Sequence, residues 1–344
     1  MNKHTVANLL RQGNRTVVLP TYQETIDELP EGITPSILLG NGFSQSWNPE
    51  IFRYDHLLDR ANFGERDAEM KGIFRRFETS DFEQVMKNLI AAEIVGEAYG
   101  IDAVTLEEIR NDQEKLKESL IDVISRSHPL RPSEVNDDQF RAVRAFLRKF
   151  QNIFTLNYDI LLYWAINKTN REIDNHRYLN KTDGFDGNYW LQGRSQNLFF
   201  VHGGLHLYDT GTKIKKHVYY RDERVGIVDQ VQDNLDAGRF PLFVSEPTHE
   251  KKLQKIEHNP YLNHCYQSLK SLDGILYIHG HSMDENDMHI FQQIKKSKVS
   301  KVYVGIFGDP DNDRNTRVRA NALAFLQKPD LEVKFYNSDF RVWG

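Results

Sequence analysis

The 344-residue chain has a single cysteine, Cys265, which excludes an internal disulfide and any zinc site built from several thiolates. One thiol fits a reducing compartment, and burial as a small apolar side chain is its expected fate. Long hydrophobic runs are absent too. Nowhere do about 18 apolar residues follow one another, so no membrane-spanning helix is expected. The opening "MNKHTVANLLRQGNRTVVLP" lacks the continuous apolar stretch of a signal peptide. The expected location is cytoplasmic, with no membrane partner. Basic charge is not in excess: 44 Lys and Arg against 49 Asp and Glu leave a formal charge of −5, so no average basic surface invites direct nucleic-acid binding. Neither an internal repeat nor a low-complexity linker interrupts the chain, and residues 1–344 are read as one unit.

With 39% hydrophobic and 27% charged residues, the chain can bury a substantial core. Short apolar runs recur at 36–39 (SILL), 152–156 (NIFTL), 198–201 (LFFV), 241–244 (PLFV), 274–279 (GILYIH), 301–307 (KVYVGIF) and 331–336 (LEVKFY). Being continuous rather than alternating, they predict strands covered on both faces, as in a parallel sheet packed between helices. Between the first two, residues 62–150 carry only helical signals. Ser80-Asp81-Phe82-Glu83 and Thr105-Leu106-Glu107-Glu108 match the capping box, and Val85, Leu89, Ala92, Val95 and Tyr99 recur at helical spacing. A helical layer inserted into an α/β sheet is the expected architecture. The 15 Tyr and 20 Phe are expected in the core and at subunit interfaces.

The first run ends in Gly40-Asn41-Gly42. Glycines at the carboxyl end of a strand let the backbone turn sharply and approach a ligand, and a helix that follows turns its free N–H groups toward an anion such as a pyrophosphate. Gln45 stands where G-x-G-x-x-G would need its third glycine, so a tight turn without a ligand stays open. Three more strand ends carry polar residues: Asn157 and Asp159 after NIFTL, His202 and Gly203 after LFFV, Gly280 and Ser282 after GILYIH. In a parallel sheet all of these gather at one edge with residues 40–44. Taken alone, His202 can equally be a core histidine, and Asn157 or Asp159 a turn or helix cap.

The set Gly40-x-Gly42-x-Ser44, Asn157-x-Asp159, His202-Gly203 and Gly280-x-Ser282 resembles the signature of the sirtuins, and more closely that of the sirtuin-like NAD hydrolases of bacterial antiphage defence. Ungapped alignment with the sirtuin pattern G-A-G-x-S-x-x-x-G-I-P-D-F-R places Phe52 and Arg53 on its last two positions. "TSDFEQVMKNL" and "GHSMDENDMHI" also look like the defence branch, the latter being similar to its Gly-x-Ser-x-x-Asp-x-x-Ile segment. The resemblance implies a Rossmann-like parallel sheet with helices on both faces and a helical insertion. The four-cysteine zinc ribbon of sirtuin deacylases is excluded by the lone Cys265. "PLFVSEP" is faintly similar to the deacylase segment that pairs with an acylated peptide, but Ser245 replaces its glycine, and Asn41 stands where sirtuins have alanine.

The resemblance implies NAD+ as substrate. Cleavage of its nicotinamide–ribose bond passes through an oxocarbenium-like species with a leaving group that is already cationic. It further implies that Asn157 holds a water or the ribose, that Asp159 orients the nicotinamide amide, and that His202 is the general base. Gly40, Asn41, Gly42, Phe43 and Ser44 would cradle the pyrophosphate, with Phe52 and Arg53 closing near the nicotinamide ribose or phosphates. Gly280, His281 and Ser282 would border the adenosine, and no metal is required. Such an activity needs restraint, which implies a homo-oligomer or a regulatory sensor partner. Two other readings stay open, a non-catalytic sensor of NAD+ or ADP-ribose and an NAD-dependent deacylase.

Two clusters invite a metal. "HGHSMDENDMH" gathers His279, His281, Asp284, Asp287 and His289, but the first two histidines alternate at a strand end and the aspartates read as turn and helix caps. "DPDNDRNTRVRA" begins like a calcium loop, yet Arg314 and Ala320 occupy its obligatory glycine and glutamate positions.

Overall fold

The computed structural model describes residues 17–49, 57–168, 179–220, 224–244, 246 and 248–344. Its strands in chain order are β1 (Ser36–Leu39), β2 (Ile153–Thr155), β3 (Phe185–Asp186), β4 (Tyr189–Trp190), β5 (Leu198–Phe200), β6 (Gly203–Asp209), β7 (Ile214–Lys216), β8 (Pro241–Phe243), β9 (Asp273–His279), β10 (Lys298–Ile306) and β11 (Glu332–Asn337). Six of them form one sheet in the order β11-β10-β9-β1-β2-β5, with every pairing parallel. Every residue of β1, β2 and β5 is buried, which is why these runs are apolar without alternation.

Across the sheet the strands stand third, second, first, fourth, fifth and sixth in chain order. This is the Rossmann order, and it reverses between β1 and β9. In such sheets dinucleotides bind at the carboxyl ends of the strands flanking the reversal.

One strand departs from expectation. Residues 241–243 join not the parallel sheet but a second sheet, β3-β4-β7-β6-β8, where β8 runs antiparallel to β6. All of β8 is buried, and two-sided burial produces an apolar run whatever the strand direction. β6, "GGLHLYD", gave no signal because two glycines and a histidine interrupt its apolar pattern.

The helical insertion is present between β1 and β2, with helices at Leu57–Arg60, Asp67–Arg76, Phe82–Tyr99, Ala103–Ser127 and Asp137–Leu147. Its Met70, Phe74, Phe82 and Phe140 belong to the same continuous core as Ile37, Phe154 and Tyr277. Both expected caps are displaced. Asp81, not Ser80, precedes the first helical residue Phe82, and its carboxylate accepts the Gln84 N–H at 3.4 Å. Asp102, not Thr105, caps the longest helix: its carboxylate takes the Thr105 N–H at 2.9 Å and the Thr105 hydroxyl at 2.7 Å. A carboxylate both accepts the free N–H and meets the positive end of the helix, and so displaces a hydroxyl close by. Of the apolar stripe, Val85 and Leu89 are buried, while Ala92, Val95 and Tyr99 are exposed. Cys265 is buried, and burial pushes its thiol up to about 12. Among the described residues no helix is long and apolar enough to cross a membrane.

Candidate functional site

Register fixes which strand ends meet. Leu39 pairs with Thr155 and with His279, and Thr155 pairs with Phe200. Gly40, Asn157, His202 and Gly280 therefore leave the sheet at a single edge, around the β1/β9 reversal.

The glycines bring two chain segments into contact there. The Gly40 N–H donates to His279 O at 2.9 Å, and the Gly42 N–H to Gly280 O at 2.8 Å. A Cβ on Gly42 would stand 2.6 Å from the Gly280 Cα, and one on Gly280 would stand 2.6 Å from the Phe43 nitrogen. Gly280 is also left-handed, with φ +68°. Replacing Gly280 with alanine adds that strain to a backbone clash and is expected to destabilise the protein by at least about 2 kcal/mol. A thermal midpoint unchanged from wild type in the Gly280→Ala protein would refute this packing.

Close approach leaves less for a phosphate than the sequence implied. The N–H groups of Gly40, Gly42 and Phe43 are all spent within the protein, that of Phe43 on Gly40 O at 3.0 Å. The helix that follows, Gly42–Gln45, is a single turn with little dipole to offer. The Phe43 side chain lies in the core 5.5 Å from the Trp343 ring, and its carbonyl accepts the Trp343 Nε1–H at 3.0 Å. Ser44 is fully buried.

Ser44 serves Asn157 and Asp159 instead. Its hydroxyl donates to the Asp159 carboxylate at 2.5 Å and accepts from Asn157 Nδ2 at 3.1 Å. Asn157 Nδ2 also donates to Gly40 O at 3.0 Å; a carbonyl can only accept, so this contact fixes the orientation of the amide. No hydrogen bond among the described residues engages Asn157 Oδ1, and the residue is half-buried. Asp159 also accepts the Leu161 N–H at 2.9 Å, at the start of the helix Leu161–Asn167. The carboxylate thus caps a helix and anchors the site side chains at once.

Burial pushes Asp159 up to about 6, against the opposing Ser44 and Leu161 hydrogen bonds. A raised carboxyl pKa means that the folded state binds the extra proton, so stability is full below the ordinary value of 3.8 and is lost as pH rises through about 6. Asp159→Asn removes this cost. The variant is expected to gain about 1–3 kcal/mol over wild type near pH 8 and nothing near pH 4, as read from denaturant midpoints. An equal difference at both pH values would be the contrary result.

The fourth strand end brings in residues that the sequence did not single out for this site. His202 is buried, with its Nε2 3.1 Å from His289 Nε2 and 4.0 Å from Asp287 Oδ1. Asp287 is held from two sides, by Lys252 Nζ at 2.8 Å on Oδ1 and by His281 Nε2 at 3.1 Å on Oδ2. The Met283 N–H donates to His281 Nδ1 at 2.8 Å, which fixes His281 as the Nε2–H tautomer and makes it the donor to Asp287. Burial pulls His202 well below its ordinary value, with Asp287 pulling the other way. Burial would raise Asp287, but the His281 hydrogen bond and the neighbouring positive charge hold it well below the usual carboxylate range.

The family model for DUF4917, a domain of unknown function, matches residues 37–343. The chain belongs to the DUF4917 family. The matched span opens within β1 and closes on Trp343, so it contains every residue placed at this edge. No curated protein matches the chain.

Within the DUF4917 domain the described candidate residues converge, with differences of role. Gly40, Gly42 and Gly280 form the contact between segments, Asn41 is half-buried beside them, and His281 holds Asp287. Ser282 is exposed. Phe52 and Arg53, and Ser245 of the "PLFVSEP" segment, lie outside the described residues. Asp284 caps as expected, accepting the Asn286 N–H at 3.0 Å. Asp287 occupies a helix N-cap position without a side-chain capping bond, because His281 and Lys252 take its carboxylate. The run that contains His281, Asp287 and His289 was visible in the sequence; Lys252, on the helix His249–His258, carried no signal.

Proposed function

We propose that this edge binds NAD+ and hydrolyses the bond between nicotinamide and ribose, releasing nicotinamide and ADP-ribose. The observation that carries the reading is the convergence of Asn157 and His202 beside the β1/β9 reversal of a Rossmann-ordered sheet, where dinucleotides bind. Water attacks the anomeric carbon, the carbon–nitrogen bond breaks, and its electron pair neutralises the pyridinium as nicotinamide leaves. The water proton passes to His202. In the tautomer that donates Nε2–H to His289, His202 keeps the lone pair on Nδ1, which no hydrogen bond among the described residues engages. Asn157 Oδ1 is the complementary acceptor for a ribose hydroxyl or the attacking water, held in place through Ser44 and Asp159.

The biological role that follows from the resemblance to defence NAD hydrolases is depletion of cellular NAD+ on infection, restrained by self-association or by a sensor partner. Incubating purified protein with NAD+, alone and with the products of adjacent genes, and measuring nicotinamide tests the activity. Light scattering on the same samples reports assembly. The burial of His202 favours a second reading, an NAD+ or ADP-ribose sensor without turnover. That reading requires saturable nucleotide binding with no nicotinamide released in any mixture.

A further inference from the structure

We propose that His202, His289 and Asp287 form a site for one divalent transition-metal ion of the zinc type, and that its occupation switches off the base. The switching half rests on the hydrolase reading above; the site itself does not. The three residues come from two elements far apart in sequence, the turn after β5 and the start of the helix Met288–Lys295, and their ligand atoms lie within 4.8 Å of one another. Zinc bonds of about 2.0–2.1 Å in a tetrahedron place ligand atoms roughly 3.3 Å apart. The two Nε2 atoms already stand 3.1 Å apart, and Asp287, 4.0 Å from His202 Nε2 and within 4.8 Å of His289, needs to close by roughly 1–1.5 Å.

The surroundings suit a metal carboxylate. His281, its tautomer fixed by the Met283 amide, holds the far oxygen of Asp287 and so turns the near one toward the imidazoles, as a supporting shell does in metal sites. A cation already lies at that near oxygen, the Lys252 ammonium at 2.8 Å. Its side chain is 15% exposed and sits on a flexible stem, so it can withdraw to solvent. Two imidazoles with one carboxylate select zinc-like ions over magnesium or calcium, which prefer oxygen ligands. Metal on His202 Nε2 confines the remaining ring proton to Nδ1, and the lone pair needed to accept the proton of water is gone.

The test uses tag-free full-length protein, dialysed against chelator and titrated with zinc chloride in a calorimeter, with magnesium chloride as the control. One zinc per chain is expected, with no binding of magnesium. His289→Ala and Asp287→Asn are expected to weaken binding at least about 10-fold, and Lys252→Ala to tighten it by removing the competing ammonium. The Lys252 variant keeps the test decisive if removal of His289 unfolds the protein, which circular dichroism reports. No zinc uptake by wild type, uptake that a folded His289→Ala protein retains unchanged, or weaker binding by Lys252→Ala overturns the site. In a preparation that releases nicotinamide, zinc is expected to stop release at the stoichiometry at which it binds, and continued release at full occupancy overturns the switch. Zinc uptake by a protein that never releases nicotinamide keeps the site and removes the hydrolase reading.

Discussion

Lowering the pH from about 7 to about 4.5 is expected to unfold the protein, through imidazoles buried outside the candidate site. Burial holds His128, His217 and His279 down at about 4, from an ordinary 6.5, and His206 well below that ordinary value. A depressed pKa means that the unfolded chain binds protons the folded one refuses. Each such histidine therefore adds stability that is complete above about 6.5 and is lost as pH falls through about 4. At about 1.4 kcal/mol per pKa unit, each of the three at about 4 is worth roughly 3 kcal/mol, and together they rival the whole stability of an ordinary domain, about 5–15 kcal/mol.

The contacts show why these rings refuse a proton. His128 Nε2 accepts the Ile160 N–H at 3.1 Å while its Nδ1 lies 2.7 Å from Pro129 O, so a second ring proton would point at another N–H. His206 is fully buried, with no hydrogen-bond partner on either nitrogen among the described residues. His217 lies near the Arg239 charge, which lowers it further. Asp159 works in the opposite sense, gaining stability as pH falls through about 6, and so does Glu246, whose carboxyl burial raises above its ordinary value, but these are two groups against four. Urea midpoints measured across this range check the balance, and a flat profile between about pH 7 and 4.5 would defeat it.

The same physics decided what the sequence could show. Ile37, Leu38 and Leu39 are apolar in succession because both sheet faces are covered, so β1 and the strand ends of its neighbours were legible. That legibility brought Gly40, Asn157, Asp159, His202 and Gly280 to one edge. Burial says nothing of direction, so β8 was assigned to the wrong sheet. The Gly-x-Gly turn was legible as a close approach but not in what approaches it, because Gly280 is 240 positions from Gly40. Lys252 was invisible for a related reason. A lysine on an amphipathic helix reads as solvated, and only the tertiary fold sets it against Asp287.

Under the hydrolase reading, His202→Ala is expected to cut nicotinamide release by about 10²–10⁴-fold, the usual worth of a positioned base. Asn157→Ala removes the ribose or water acceptor Oδ1 and the tie from Gly40 O to Ser44, and should cost about 10²-fold or more through lost positioning. Both side chains lie at the edge of the sheet, beyond the core strands, so circular dichroism should show both variants folded. Because Asn157 and His202 act on one water and one anomeric carbon, the double variant is expected to be little worse than the poorer single one. NAD+ binding separates the roles further: His202→Ala should bind nucleotide nearly as wild type does, whereas Asn157→Ala should bind it more weakly. Folded variants that both release nicotinamide at the wild-type rate would remove these two residues from the chemistry, and with them the reason for placing it at the β1/β9 reversal.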